Sequence, residues 1–330
     1  MLPVEPWALV DWPAELMAEL TSSWDGGSGL YQRVSDDVRR WHAEPPTGPG
    51  IDIGGIPLHH TPLAVRPEPS GRWSAFSPLA WWDERDGDPV VRQAPILTGH
   101  AVTGIVLANG RAIGARIRTG DGATTDIRAD RVVLAAGAAE NGRLAIQALA
   151  DAGAAPVGPE LLGLADTIAQ GFVRTIPDDH RLPPPIRAAA WSGRTYHRIG
   201  DGHNRFNHFV RFTSTSAGSI TMDSWTVGEQ QHADSPDDEK QRRAQQDFLL
   251  EFWSIAAHHL NVPAAPLDFG PVRHEAGTIA LGELLADDHQ FRDVPGLYAC
   301  GPCTFPRTGA TEPAMTTLAL AKRLGGLLSR

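Results

Sequence analysis

Gly296-Leu297-Tyr298-Ala299-Cys300-Gly301-Pro302-Cys303-Thr304-Phe305-Pro306, followed by Thr308-Gly309-Ala310-Thr311-Glu312-Pro313 and Ala314-Met315-Thr316-Thr317-Leu318-Ala319-Leu320-Ala321, is the stretch on which the fold turns. Residues 296–300 read as a strand, 301–306 as a Gly/Pro loop, and 308–313 as a turn that opens straight into a helix. Pro313 suits the first helical position, where no backbone donor is needed and its fixed φ is already helical. Thr311 or Glu312 would then cap the helix. A strand, a short turn and a helix N-terminus together make a geometry that faces anions and cofactors. Many α/β proteins end in a strand and a helix, so this pattern alone names no function.

Working back from there, residues 95–136 form the clearest strand region. Residues 96–102 and 103–107 run to Asn109-Gly110, the strongest short hairpin signal, and residues 112–118 return. Gly120-Asp121-Gly122 makes the next turn, before a third strand. Arg131-Val132-Val133-Leu134-Ala135-Ala136-Gly137 is a continuous apolar run ending in Gly, which reads as a buried parallel strand approaching a cofactor. Residues 140–150 read as a helix. Helices are also expected at 14–20 and at 30–41, where Leu30, Val34, Val38 and Trp41 have helical spacing. Residues 44–71 are rich in Pro and Gly and read as an extended loop. Trp73, Phe76, Trp81 and Trp82 then either anchor that loop or wall a substrate pocket. Strands are expected at 207–213 and 219–227, and Ser235-Pro236-Asp237-Asp238 starts a long helix. Phe248, Phe252, Ile255 and His259 would give that helix one face, with Leu249, Trp253, Ala256 and Leu260 beside it.

Two stretches resemble the glucose–methanol–choline oxidoreductases. One is the strand meander leading into Val132-Val133-Leu134-Ala135-Ala136-Gly137-Ala138 with Glu140-Asn141 after it. The other begins at Arg273-His274-Glu275-Ala276-Gly277-Thr278, similar to the family's His-x-x-Gly-Thr, and runs through the Phe305-Pro306 turn to the last helix. The likeness is firm at 95–147 and 274–324 and thin between 151 and 260, and it covers the later two-thirds of the family's sequence. It implies an α/β fold in which an incomplete FAD-binding region, 93–150 and 290–330, is interleaved with an α+β substrate region, 1–92 and 151–289, carrying an antiparallel sheet. It implies FAD as cofactor. The backbone at Val102 would face the adenine, Ala136 and Gly137 would lie by the dinucleotide, and Gly301-Pro302 and the helix start at Ala314-Met315 would border the flavin. It implies oxidation of a small alcohol or sugar-like CH–OH, with His274 as general base and Glu312 at the second catalytic position.

Two departures qualify this. No strand–GxGxxG–helix precedes these segments, and the nearest glycines, Gly120-Asp121-Gly122-Ala123, sit in a hairpin turn. The resemblance therefore implies a split enzyme, in which a second protein chain supplies the missing dinucleotide-binding part. The family's second catalytic residue is Asn or His, and here it is Glu312. A carboxylate a few ångströms from His274 would favour imidazolium by about 1–4 kcal/mol. Glu312 is then either an altered acid–base partner or the mark of a chain that has left flavin chemistry. In the second case it is a lyase, isomerase or dehydratase using His274 and Glu312, or a non-catalytic partner subunit.

Cys300-Gly301-Pro302-Cys303 matches the thioredoxin dithiol motif letter for letter, but Thr304-Phe305-Pro306 does not continue a helix, so buried or incidental thiols are the plainer reading. His197, His203 and His208 lie close in sequence and His59-His60 and His258-His259 are adjacent, none at a metal-motif spacing, so no metal is expected. With 29 basic and 39 acidic residues the net charge is −10 and no basic cluster stands out, which excludes nucleic-acid and anionic-membrane binding as expected roles. No apolar run is long enough to span a bilayer and no signal-peptide layout opens the chain; with two cysteines in 330 residues, a cytoplasmic location is expected.

Overall fold

The computed structural model describes residues 4–21, 29–41, 50–61, 65–67, 73–75, 95–154, 164–177, 190–199, 204–214, 219–229, 236–267, 269–272 and 275–330. Three helices come first: α1 (Pro6–Leu9), α2 (Ala14–Thr21) and α3 (Leu30–Trp41). The last two lie where the apolar spacing predicts them. Leu30 and Val34 are buried, and the Tyr31 hydroxyl reaches the Thr316 hydroxyl at 2.9 Å.

The meander is built as expected. Strands β5 (His100–Ala108) and β6 (Arg111–Thr119) pair antiparallel, and β7 (Thr124–Arg128) extends the sheet. Asn109 and Gly110 have φ of 51° and 74°, the left-handed pair that matches a two-residue turn to strand twist. The first strand starts at His100 and not at Ile96, because Gly99 at φ 71° makes a turn there.

The apolar run 131–137 contains β8 (Val132–Leu134), which pairs in parallel with β14 (Leu297–Ala299). The parallel pairing agrees with the sequence reading; full burial does not. Val133 is 40% exposed, and Ala135, Ala136 and Gly137 are exposed. A parallel strand is covered on both faces only when further strands and helices flank it, and among the described residues this sheet has two strands. Helix α4 (Ala138–Asp151) follows directly.

Among the described residues, a seven-stranded antiparallel sheet forms the other half. Its strands are β1 (Ile51–Ile53), β2 (Ile56–His60), β9 (Thr167–Pro177), β10 (Ala190–Ile199), β11 (Asn204–Ser214), β12 (Ser219–Glu229) and β13 (Gly270–Val272), in the order β1-β2-β10-β11-β12-β9-β13. A small hairpin, β3 (Val65–Pro67) with β4 (Trp73–Ala75), stands apart. The 44–71 segment is thus not a plain loop: Asp52 accepts a hydrogen bond from the Gly55 N–H, and positive φ at Gly54 and Gly55 turns β1 into β2. Phe76, Trp81 and Trp82 lie outside the described residues.

Helix α5 (Pro236–Leu260) packs on one face of this sheet. Strand alternation sends Phe206, His208, Val210 and Phe212 toward the helix, where Phe206 and His208 meet Phe248 edge-on. The helix buries Leu249, Phe252, Trp253, Ala256 and Leu260 and half-buries Phe248 and Ile255, as the apolar spacing leads one to expect, while His259 alone of that set is exposed. Asn207, one residue out of phase, points to the opposite face. The second core gathers Val4, Leu16, Leu30, Leu134, Leu144, Ile279, Leu297, Phe305 and Leu320. The N-terminal helices, assigned by sequence to the substrate region, share this core with β8, α4, β14 and the last helix.

The last helix, α6 (Ala314–Leu328), begins one residue later than predicted. Pro313 is its N-cap, and neither Thr311 nor Glu312 caps it. The Thr317 N–H donates to the Pro313 carbonyl at 2.8 Å.

Candidate functional site

Three separate segments meet at the carboxyl ends of β8 and β14. After β14 the chain turns at Gly301 (φ 118°) into a 3-10 turn, Pro302–Thr304. Residues 277–281 lie along that turn: the N–H groups of Gly277, Ile279 and Leu281 donate to the carbonyls of Pro302, Cys303 and Thr304 at 3.0, 2.9 and 3.1 Å. The Thr278 hydroxyl reaches the Ala138 carbonyl at 3.4 Å, tying the same strip to the start of α4.

Asn141 locks the cluster from inside. It is fully buried; its Oδ1 accepts from the Ala136 N–H at 2.8 Å, and its Nδ2 donates to the Leu134 carbonyl at 3.4 Å and to Cys303 Sγ at 3.1 Å. One side chain thereby fixes the end of β8, the start of α4 and the turn after β14. Cys300 and Cys303 are free and buried, and burial pushes both thiols up to about 11, so neither is poised as a thiolate.

Of the residues singled out by sequence, Ala136 and Gly137 stand exposed at the end of β8, and Gly301-Pro302 closes the same site from β14. A side chain added at Gly137 or Gly301 would meet nothing within 4 Å, so both leave open space above a glycine backbone with positive φ. That open cradle, at the ends of two parallel strands and before a helix N-terminus, fits the flank of a dinucleotide cofactor. Val102 is 40% exposed on β5, and its carbonyl accepts from Arg143 of α4 at 3.2 Å, so the meander is tied to the helix leaving the cradle. Ala314 is exposed and Met315 half-buried at the start of α6. Glu312 is half-buried. His274 lies outside the described residues; its neighbours Glu275 to Thr278 lead into the strip along the Pro302 turn.

The turn before α6 is held from outside itself. The Trp12 Nε1–H donates to the Arg307 carbonyl at 3.2 Å, and the Gly309 N–H donates to Glu229 at 3.2 Å. The Ala310 N–H donates to Glu5 Oε2 at 3.1 Å, and the Ala310 carbonyl accepts from Asn207 Nδ2 at 2.7 Å. Arg307 forks onto both Glu229 oxygens at 2.8 Å and reaches Asp11 at 2.7 Å. Asn207 also donates to Glu5 Oε1 at 2.6 Å. Burial raises the Glu5 carboxyl above its ordinary range, opposed by the Ala310 and Asn207 donors and by Arg194. Asn141, Glu5 and Asn207 escaped the sequence reading. Asn141 stood in a stretch with a firm family likeness, and Glu5 where the likeness begins, but neither was given a role.

Among the described residues no group of three or more His, Cys, Asp or Glu is placed to hold a metal ion, and no helix is long and apolar enough to cross a membrane.

No protein-family model and no curated protein matches the chain. Solved structures do. Pyridoxine 4-oxidase from Mesorbium loti superposes with a TM-score of 0.55 over 92% of this chain and 70% of that one, at 16% identity. The likeness is one of fold: a mixed helix and strand architecture with antiparallel sheets.

Proposed function

We propose that this chain carries the substrate side and the cofactor flank of an FAD-dependent oxidoreductase acting on the CH–OH group of a small alcohol or sugar-like molecule. The observation that carries the reading is the convergence of 136–138, 277–278 and 301–304 into one hydrogen-bonded cluster with an open glycine cradle. The fold likeness to a protein named as an oxidase supports it.

On this reading the Ala136–Gly137 and Gly301–Pro302 backbones hold the cofactor's flank, with Val102 beside them. FAD, when bound, supplies the hydride acceptor. His274 takes the substrate's hydroxyl proton, a role suited to an imidazole whose ordinary pKa lies near neutrality. Glu312, two residues before the first turn of α6, orients the substrate oxygen or holds His274 as its acid–base partner. The exposed Val133 and the parallel sheet, two-stranded among the described residues, support further polypeptide, on this chain or on another, that lies against β8 and brings the glycine-rich dinucleotide turn.

The test is turnover of benzyl alcohol with added FAD and dichlorophenolindophenol as electron acceptor. Dye reduction should require the alcohol, and His274→Asn should slow it by about 100-fold or more, as loss of a general base does. Equal rates for the two proteins would remove His274 from the mechanism.

A further inference from the structure

The turn Arg307–Thr311 belongs to no helix or strand, yet four of its backbone groups are each met by a side chain from a distant part of the chain. The turn is buried at 308–311, so its backbone groups need partners, and this arrangement meets them with side chains from far along the chain. It also consumes residues that are expensive to place. Asn207 is fully buried and Glu5 half-buried, and polar groups taken out of water destabilise a fold unless their hydrogen bonds are made.

The partners come from two sides. Glu5 precedes α1, while Asn207 and Glu229 project from β11 and β12; Asn207 points away from α5, toward the turn. Gly309 is matched to the socket twice over: its φ is +69°, and a side chain there would stand 2.6 Å from Glu5 Oε2. The body of α6 is anchored separately, through Thr316 to Tyr31 and Arg323 to Glu19 at 2.8 and 3.0 Å. The Glu5 socket therefore governs the start of the helix and not its docking.

We propose that Glu5, Asn207 and Glu229 are positioning residues, which through this turn set where Glu312 and the first turn of α6 stand over the candidate site. The inference rests on the reading of Glu312 as the second catalytic position. Glu5 Oε1 accepts from Asn207, and Oε2 accepts from Ala310 and, at 3.4 Å, from the Thr311 hydroxyl. Glu5→Gln keeps the shape but sets an amide NH2 against a donor whichever way it is turned.

Two readouts test this. Hydrogen exchange over 305–312 should quicken about tenfold or more in Glu5→Gln. Turnover of benzyl alcohol by the FAD-supplemented protein should fall about tenfold in kcat with KM changed less than about threefold, and Glu5→Gln should add nothing on a Glu312→Gln background. Arg323→Gln, at the far side of α6, should lower the melting temperature without moving either readout. Glu229→Gln repeats the test if Glu5→Gln does not fold. Unchanged exchange overturns the proposal, as does an equal loss of kcat with and without Glu312. If the unaltered protein oxidises no alcohol, the oxidoreductase reading fails, and the exchange comparison alone decides whether the socket holds the turn.

Discussion

Asn141 shows how much a single buried amide can organise. Its three hydrogen bonds join the end of β8, the helix behind it and the turn after β14. Asn141→Leu would take the side-chain acceptor from the Ala136 N–H and put a buried apolar group beside Cys303 Sγ, while the Leu134 carbonyl keeps the Cys300 N–H at 2.9 Å, at a cost of about 1–3 kcal/mol, read from urea unfolding. His289 is the opposite case, a histidine that burial keeps neutral. Its Nδ1 faces the Ala299 carbonyl at 3.2 Å, and burial, then Arg323, lower its pKa to about 4. Glu19 and Asp288 pull weakly the other way. The unfolded chain, with an ordinary histidine near 6.5, binds the proton first, so stability falls as pH drops from 6.5 and the loss is complete below 4. The loss amounts to about 3 kcal/mol. His289→Asn, which tolerates the positive φ of 69° at this position, should flatten the stability curve across that window. An unchanged slope would mean that other groups carry the acid response.

At the scale of elements, local chemistry was easiest to read where backbone geometry has one solution. Asn109-Gly110 fixed the β5–β6 hairpin, and the apolar spacing from Leu30 to Val34 fixed α3. Strands β9 and β10 were not legible, because Gln170-Gly171 and Ser192-Gly193-Arg194 interrupt the alternation that marks a half-buried strand. Gly171 is there for a neighbour: a side chain would come within 2.6 Å of the Trp225 Cβ across the sheet, which no local pattern reveals. Gly114 is a sharper instance. At φ 156° its backbone runs so close to β7 that a side chain would overlap the Ile127 carbonyl at 2.1 Å. Gly114→Ala should therefore force the two strands apart and cost about 2 kcal/mol or more, seen as a lowered melting temperature. A neutral result would show that the β6–β7 edge opens freely.

For the whole molecule, the expected mixture of helices with antiparallel sheets is what the chain forms, and the structure adds how its pieces are joined. The site's glycines, Gly137, Gly277 and Gly301, were legible because they sit in stretches with a family likeness. Glu5, Asn207 and Glu229 were not, since they act across 80 to 305 residues of chain on a turn they do not adjoin. Both cores converge on that turn. One supplies Phe305 and Leu320, and the sheet built on the other supplies Asn207 and Glu229. The alcohol-oxidising reading depends above all on the cradle at Ala136–Gly137 and Gly301 receiving a flavin. The direct measurement is a titration of FAD with the purified chain, followed by flavin fluorescence, beside the variant Ala136→Glu, which sets a carboxylate on an exposed position at that cradle. The account predicts saturable binding that the variant weakens by about tenfold or more, as charge repulsion at a pyrophosphate would; an absence of saturable binding, or equal affinity for the two proteins, would contradict it.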